Sequence, residues 1–120
     1  VCEDCRPREL LALLGDEYVQ TVLSATSDKP LSANELSDIC GTSLPTVYRR
    51  IEEMVACHLL AERNEIDANG NHYKTYEALL EQATVQLDDG EFVVDLDTVE
   101  REDAPDRFMR MWNNIREDES

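Results

Sequence analysis

The residues best suited to chemistry lie in the run TSLPTVYRR, where Thr42, Ser43, Pro45, Thr46, Tyr48, Arg49 and Arg50 follow one another within nine positions. A guanidinium can pair in bidentate fashion with guanine O6 and N7, which makes Arg49 the leading candidate for a base contact. Thr46 suits a thymine methyl or a base edge. Ser43, Tyr48 and Arg50 suit phosphate oxygens, which fix register without reading sequence. Further on, Arg63, His72 and Lys74 flank a polar tip containing Asn69 and Gly70. Groups of these types in this order suit recognition of a duplex more than making or breaking bonds. An alternative reading is a solvated helix face on which Arg49 and Arg50 pair with Glu52 and Glu53 at i, i+3 and i, i+4.

The other reactive groups are four cysteines and two histidines. Cys2-x-x-Cys5 is the one spacing that could support redox or metal chemistry, but a zinc ribbon needs a second paired knuckle. Cys40 falls where a helix-turn-helix wants a small buried hydrophobe, and Cys57 falls at a helix end, so both read as structural. His58 reads as a residue at a helix C-terminus. No metal site and no cofactor are expected. No nucleophile–base set or phosphate-cradling glycine loop is present, and the carboxylates are too numerous for any pair to stand out. The chain therefore does not read as an enzyme.

Helices and a hairpin must position these groups. From about Pro7 to Thr26, Leu10, Leu11 and Leu14, then Tyr18, Val19, Val22 and Leu23, mark helix faces with a break near Gly15. Ser32 and Glu35 form a capping box, with Leu31 and Leu36 as its hydrophobic staple. Gly41 supplies the turn, and Ser43 caps a helix over 43–57, with Pro45 tolerated in its first turn. Leu44, Val47, Ile51, Met54 and Val55 share one face of that helix; Thr46, Arg49 and Glu53 point away at 100° per residue. A β-hairpin spans Leu59 to Ala78, with the wing proper at 62–75. A second hairpin spans 83–96, turning at Asp89-Gly90. Asp97 and Glu100 predict a further helix start. Phe108, Met111, Trp112 and Ile115 then repeat at i, i+3, i+4, i+7 in a C-terminal helical region over 97–116.

The expected fold class is mainly α with small antiparallel β, α+β: one winged helix-turn-helix domain over 1–120, with its core at 7–80. To it are added a second hairpin and a C-terminal amphipathic dimerisation helix. A major groove about 12 Å wide admits one helix, here 43–57, while the wing meets the adjacent backbone or minor groove. Half-sites call for a pair of molecules, so a homodimer is expected.

Composition complicates that picture. The 120 residues hold 27 acidic side chains against 11 basic ones, a formal net charge of -16. Only Lys29 and Lys74 are lysines. This balance opposes nonspecific attraction to phosphates. It fits a protein working in concentrated salt, where a Debye length of roughly 3 Å at about 1 M screens the repulsion. A halophile cytoplasm is the expected setting, with K+ or Na+ taken up at the DNA interface. No apolar run has membrane-spanning length and no signal peptide is visible, so a cytoplasmic protein without membrane contact is expected. The absence of an initiator Met points to missing leading residues. In such a compartment the four cysteines are expected to be thiols.

The runs LLGDEYVQTVLSATS, LSANELSDICGTSLPTVYRRIEEM and LLAERNEIDANGNHYKTYEA resemble the ArsR-type winged-helix transcription regulators abundant in haloarchaea, a family with oxidative-stress regulators among its members. The resemblance covers roughly residues 7 to 116 and is most specific in SLPTVYRR. It implies a homodimer whose first and last helices form the interface, here Leu10, Leu11, Leu14 and Tyr18 with Phe108, Met111, Trp112 and Ile115. It also places Ser43, Thr46, Arg49 and Arg50 on the recognition helix and Arg63 to Lys74 on the wing. The cysteine-bearing metal motif of the metal-sensing members is missing. Two alternatives remain: a protein-interaction winged helix without DNA contact, and a thiol-based redox or metal sensor using Cys2 and Cys5.

Overall fold

The computed structural model describes residues 5–99. Their elements run α1 (Pro7–Leu14), α2 (Glu17–Thr26), β1 (Leu31–Ser32), α3 (Ala33–Cys40), α4 (Leu44–Ala56), β2 (Leu60–Ile66), β3 (His72–Ala78), β4 (Leu80–Asp88) and β5 (Glu91–Thr98). This α+β order is consistent with a winged helix-turn-helix. Cys2, Phe108, Met111, Trp112 and Ile115, and with them the expected dimerisation helix, lie outside the described residues.

Local chemistry explains the helix boundaries. The break after α1 falls at Gly15, and the next residue, Asp16, caps α2: its Oδ1 accepts from the amides of Tyr18 and Val19 at 2.9 and 3.0 Å. The capping box of α3 forms in full. The Ser32 hydroxyl accepts from the Glu35 amide at 3.2 Å, and the Glu35 carboxylate accepts from the Ser32 amide at 3.0 Å. That backbone hydrogen bond holds the Glu35 carboxyl below its ordinary pKa.

Helices α3 and α4 end in the same backbone motif. The Thr42 amide donates to Ser37 and that of Gly41 to Asp38; the Leu59 amide donates to Met54 and that of His58 to Val55. These are paired Schellman bonds, which need a left-handed residue at the turn. Gly41 takes that conformation at φ 66°, whereas at the end of α4 a histidine is forced into it, at φ 62°. Leu59 and Met54, the hydrophobic pair that accompanies the motif, are both fully buried.

The first hairpin pairs β2 with β3 from Leu60↔Ala78 to Ile66↔His72. A third strand, β1, joins the other edge of β3 through Leu31↔Tyr76, giving the order β1-β3-β2. The second hairpin forms its own two-stranded sheet and turns at Asp89 and Gly90, both at positive φ. Its strands run beyond 83–96, so Asp97 lies in β5 opposite Gln82 and does not start a helix.

One core joins these parts. Leu10 and Leu13 of α1, Val19 and Val22 of α2, Leu36 of α3 and Val47, Ile51 and Met54 of α4 pack with Leu59, Leu60 and Tyr76 of the sheet, and Val94 brings in the second hairpin. Leu10 is thus committed to its own chain's core. Leu11, Leu14 and Tyr18 remain partly buried. At the far end of the second hairpin Leu87 and Phe92 stand opposite each other, 68% and 57% exposed.

Two stability measurements follow. His58→Gly relieves the left-handed histidine and should stabilise the fold by about 0.5–1 kcal/mol in urea titration; a loss of stability would show that the imidazole does more than occupy a turn. Ser32→Ala should cost about 1 kcal/mol at neutral pH. Because the folded Glu35 pKa is depressed, the box stabilises fully above the unfolded glutamate pKa. Its contribution is lost as pH falls through the folded value. The gap between parent and Ser32→Ala should therefore narrow in acid, and a pH-independent gap would remove Glu35 from the account.

Candidate nucleic-acid interface

Helix α4 is set by its buried face. Val47, Ile51 and Met54 are 1%, 2% and 0% exposed, which turns Pro45, Arg49, Glu52 and Glu53 outward. The helix begins at Leu44 and ends at Ala56, one residue inside the expected bounds at each end. Its N-cap is Ser43, but the hydroxyl does not cap the backbone; it bonds to the Thr46 hydroxyl at 2.9 Å. With Pro45 in the first turn, the helix start presents backbone amides that no side chain of the cap satisfies, a favourable place for an anion. Ser43 and Pro45 are exposed beside it, while Thr42 and Thr46 are half-buried.

The two arginines part company. Arg49 is exposed and forms no ion pair with any described residue. Arg50 turns back, and its Nε–H donates to Asp16 Oδ2 at 3.1 Å. Its side chain and that of Asp16 are 27% and 24% exposed, so the pair is partly withdrawn from water. Neither arginine pairs with Glu52 or Glu53. Arg50 is thus engaged within the fold, and the contact that positions α4 is one the sequence did not disclose. The expected break near Gly15 left the adjacent Asp16 without a role, although Asp directly before an apolar-periodic segment is a standard capping residue.

The wing's cations are also paired. Arg63 bonds to Glu77, a carboxylate 8% exposed, and lies 4.0 Å from Glu65. Glu77 holds the Arg63 guanidinium still more firmly protonated, by hydrogen bond and by charge. Lys74 lies 2.9 Å from Glu62, whose hydrogen bond raises the ammonium pKa. Tyr48, 43% exposed, shares a groove with Glu62, Lys74 and Tyr76. At the tip, the Asp67 carboxylate accepts from the amides of Asn69 and Asn71, each at 2.9 Å, and the Asn71 bond depresses its pKa most. That ring of bonds shapes the turn carrying Asn69 and Gly70, with Gly70 at φ 82°. His72 is exposed at the start of β3.

The cysteines overturn the all-thiol expectation. Cys5 and Cys57 form a disulfide with Cα atoms 5.7 Å apart, joining the residues before α1 to the C-cap of α4. The link spans 52 positions and removes on the order of 4 kcal/mol of unfolded-chain entropy. Spacing could not reveal it, because the partners meet only once α1 lies along α4. Cys40 is a free thiol and only half-buried, less so than its expected core role requires; desolvation still pushes its pKa up. Among the described residues no three His, Cys, Asp or Glu side chains converge as a metal ion would require.

Residues 14–69, from the end of α1 to the wing tip, match the family model of a helix-turn-helix domain. That is the class of a DNA-binding regulatory domain, and the matched stretch contains Asp16, α4 and the first strand of the first hairpin. No curated protein matches the chain. No helix among the described residues is long and apolar enough to cross a membrane.

The two roles of Asp16 give an ordering. Asp16→Ala removes a helix cap and the Arg50 partner together and should cost about 1–2 kcal/mol in urea titration; Arg50→Ala leaves the cap intact and should cost under about 1 kcal/mol. An Arg50→Ala variant as damaged as Asp16→Ala would mean that Arg50 holds the fold by more than this pair.

Proposed function

We propose that this protein is a sequence-specific DNA-binding transcription regulator that acts as a homodimer, lays α4 in the major groove and rests the wing on the adjacent backbone or minor groove. The observation that carries the reading is Arg49. It is an exposed cation with no ion pair among the described residues, held outward on a helix whose opposite face is locked in the core. Thr46 and Pro45 extend the same reading edge, and Ser43 and the open amides at the start of α4 take a phosphate. Thr42 and Tyr48 flank that edge. On the wing, Asn69, Gly70, His72 and Lys74 are exposed; Lys74, like the half-buried Arg63, reaches phosphate by sharing its carboxylate partner. Arg50 acts as a positioning residue through Asp16.

Leu10 faces its own core, so the dimer surface is assigned to Leu11, Leu14 and Tyr18 with Phe108, Met111, Trp112 and Ile115. The carboxylates Glu52 and Glu53 stand beside Arg49 on the exposed edge of α4. Near phosphates they call for K+ or Na+ at the interface, which fits a salt-rich, haloarchaeal cytoplasm; a role in oxidative stress rests on the family resemblance alone.

Selecting bound fragments from the native genome in molar KCl tests the partner class. On a selected fragment Arg49→Ala should lose about 1–3 kcal/mol, roughly 5- to 150-fold, and relax preference at one base pair. The affinity should also vary weakly with KCl, because cations taken up by carboxylates offset those released from DNA. Full affinity in Arg49→Ala, or a steep fall between moderate and molar KCl, contradicts the reading.

A further inference from the structure

Helices α1 and α4 do not close on each other along their whole length. Between them lies a cavity of about 460 Å³, with Ala12 and Ala56 among its walls. Among the described residues an ion pair and a disulfide cross this seam, both lining the cavity: Asp16–Arg50 beyond the end of α1, and Cys5–Cys57 ahead of its start. The disulfide is the stronger tie, and it grips α4 at its C-cap, two turns from Arg50. Cys5 and Cys57 are 9% and 5% exposed, so bulk solvent reaches the sulfurs poorly, but the cavity opens onto both residues.

We propose that the Cys5–Cys57 disulfide is a thiol–disulfide switch that sets how firmly the recognition helix is held, with the disulfide-bonded form the DNA-binding one. The proposal rests on the reading of α4 as the recognition helix. A small dithiol reductant supplies the chemistry. Its thiolate attacks one sulfur of the bridge and forms a mixed disulfide, and the other cysteine leaves as a thiolate and takes up a proton. The second reductant thiol then closes its own disulfide and releases the remaining cysteine as a thiol. Two electrons and two protons pass to the protein, and the reductant is oxidised by the same amount. After reduction the apolar core shared by α1 and α4 remains, but among the described residues the ion pair left across the seam is Asp16–Arg50, and a partly exposed ion pair is a weak clamp. Helix α4 then gains freedom at its C-terminal end, and ordering it again on DNA lowers affinity.

The test uses the full chain, air-oxidised and then treated with dithiothreitol, with thiols counted by alkylation and mass. Reduction should expose two further alkylatable thiols at Cys5 and Cys57. Amide exchange over 50–57 should quicken at least tenfold, and affinity for a fragment selected from native genomic DNA should fall about tenfold. Reoxidation should restore all three. Cys57→Ser should sit at the reduced values in both conditions. Because that variant could fold poorly, the reversible cycle of the parent chain is the deciding measurement. Cys40→Ser should keep the whole response. A bridge that dithiothreitol leaves intact, exchange over 50–57 unchanged on reduction, equal affinity in both states, or loss of the response in Cys40→Ser overturns the switch. If the oxidised chain binds no duplex at all, the DNA reading fails, and the exchange measurement still decides whether the bridge controls α4.

Discussion

One carboxylate aligns the helical part of this molecule. Asp16 uses Oδ1 to cap α2 and Oδ2 to hold Arg50 of α4, so the start of one helix and the middle of another are referred to the same side chain. The consequence is geometric. With Arg50 drawn inward, its neighbour Arg49 points about 100° away around the helix, onto the face that the core leaves free. The acidic group adds a directional bond to the apolar packing that already sets the rotation of α4, and so helps orient its exposed edge. The cap also ties α1 and α2 at a sharp turn, which brings the residues before α1 alongside the far end of α4, where Cys5 meets Cys57.

Charge is arranged by the same economy. Of the four cations that converge on the predicted binding side, Arg50, Arg63 and Lys74 have carboxylate partners within the fold, and Arg49 pairs with no described residue. Glu77 is buried, and its pairing with Arg63 offsets part of the cost of holding a carboxylate in the sheet. The first hairpin is therefore stiffened by ion pairs across β2 and β3, and its tip is shaped by Asp67 without any basic residue. A wing built this way presents dipoles and amides to a partner more than net charge.

Periodicity and capping chemistry made most of the fold legible. The capping box at Ser32, the left-handed Gly41, the apolar face of α4 and the Asp89-Gly90 turn each rest on contacts within a few residues, and local rules reach that far. The misses share a different cause. β1 is two residues long, too short to show alternation, and exists because β3 offers a free edge. The Cys5–Cys57 bridge and the Asp16–Arg50 and Arg63–Glu77 pairs join residues far apart in the chain or on facing strands. Nothing in their spacing distinguishes a paired arginine from a free one. His58 was placed correctly at a helix end, but its left-handed backbone was hidden because glycine is the usual signal there. At the candidate interface, residue types were readable and engagement was not: Arg49 and Arg50 are adjacent and chemically identical, and only the packed helices tell them apart.

That distinction bears on how such an acidic molecule could discriminate among duplexes. A basic binder draws most of its affinity from counterion release, a contribution blind to sequence. Here the cations available for that contribution are few and the surrounding field is repulsive, so any nonspecific complex starts from a deficit. In the complex proposed above the stabilising interactions are short-range: a guanidinium on a base edge, hydroxyls and helix amides on phosphate, and shape fit of α4 in the groove. All of these depend on the helix being held at one depth and one rotation. If α4 is the recognition helix proposed above, weak long-range attraction and a firmly held helix are two sides of one design. Loosening the clamp would cost this protein more than it would cost a basic one, because no background attraction remains to keep the complex together.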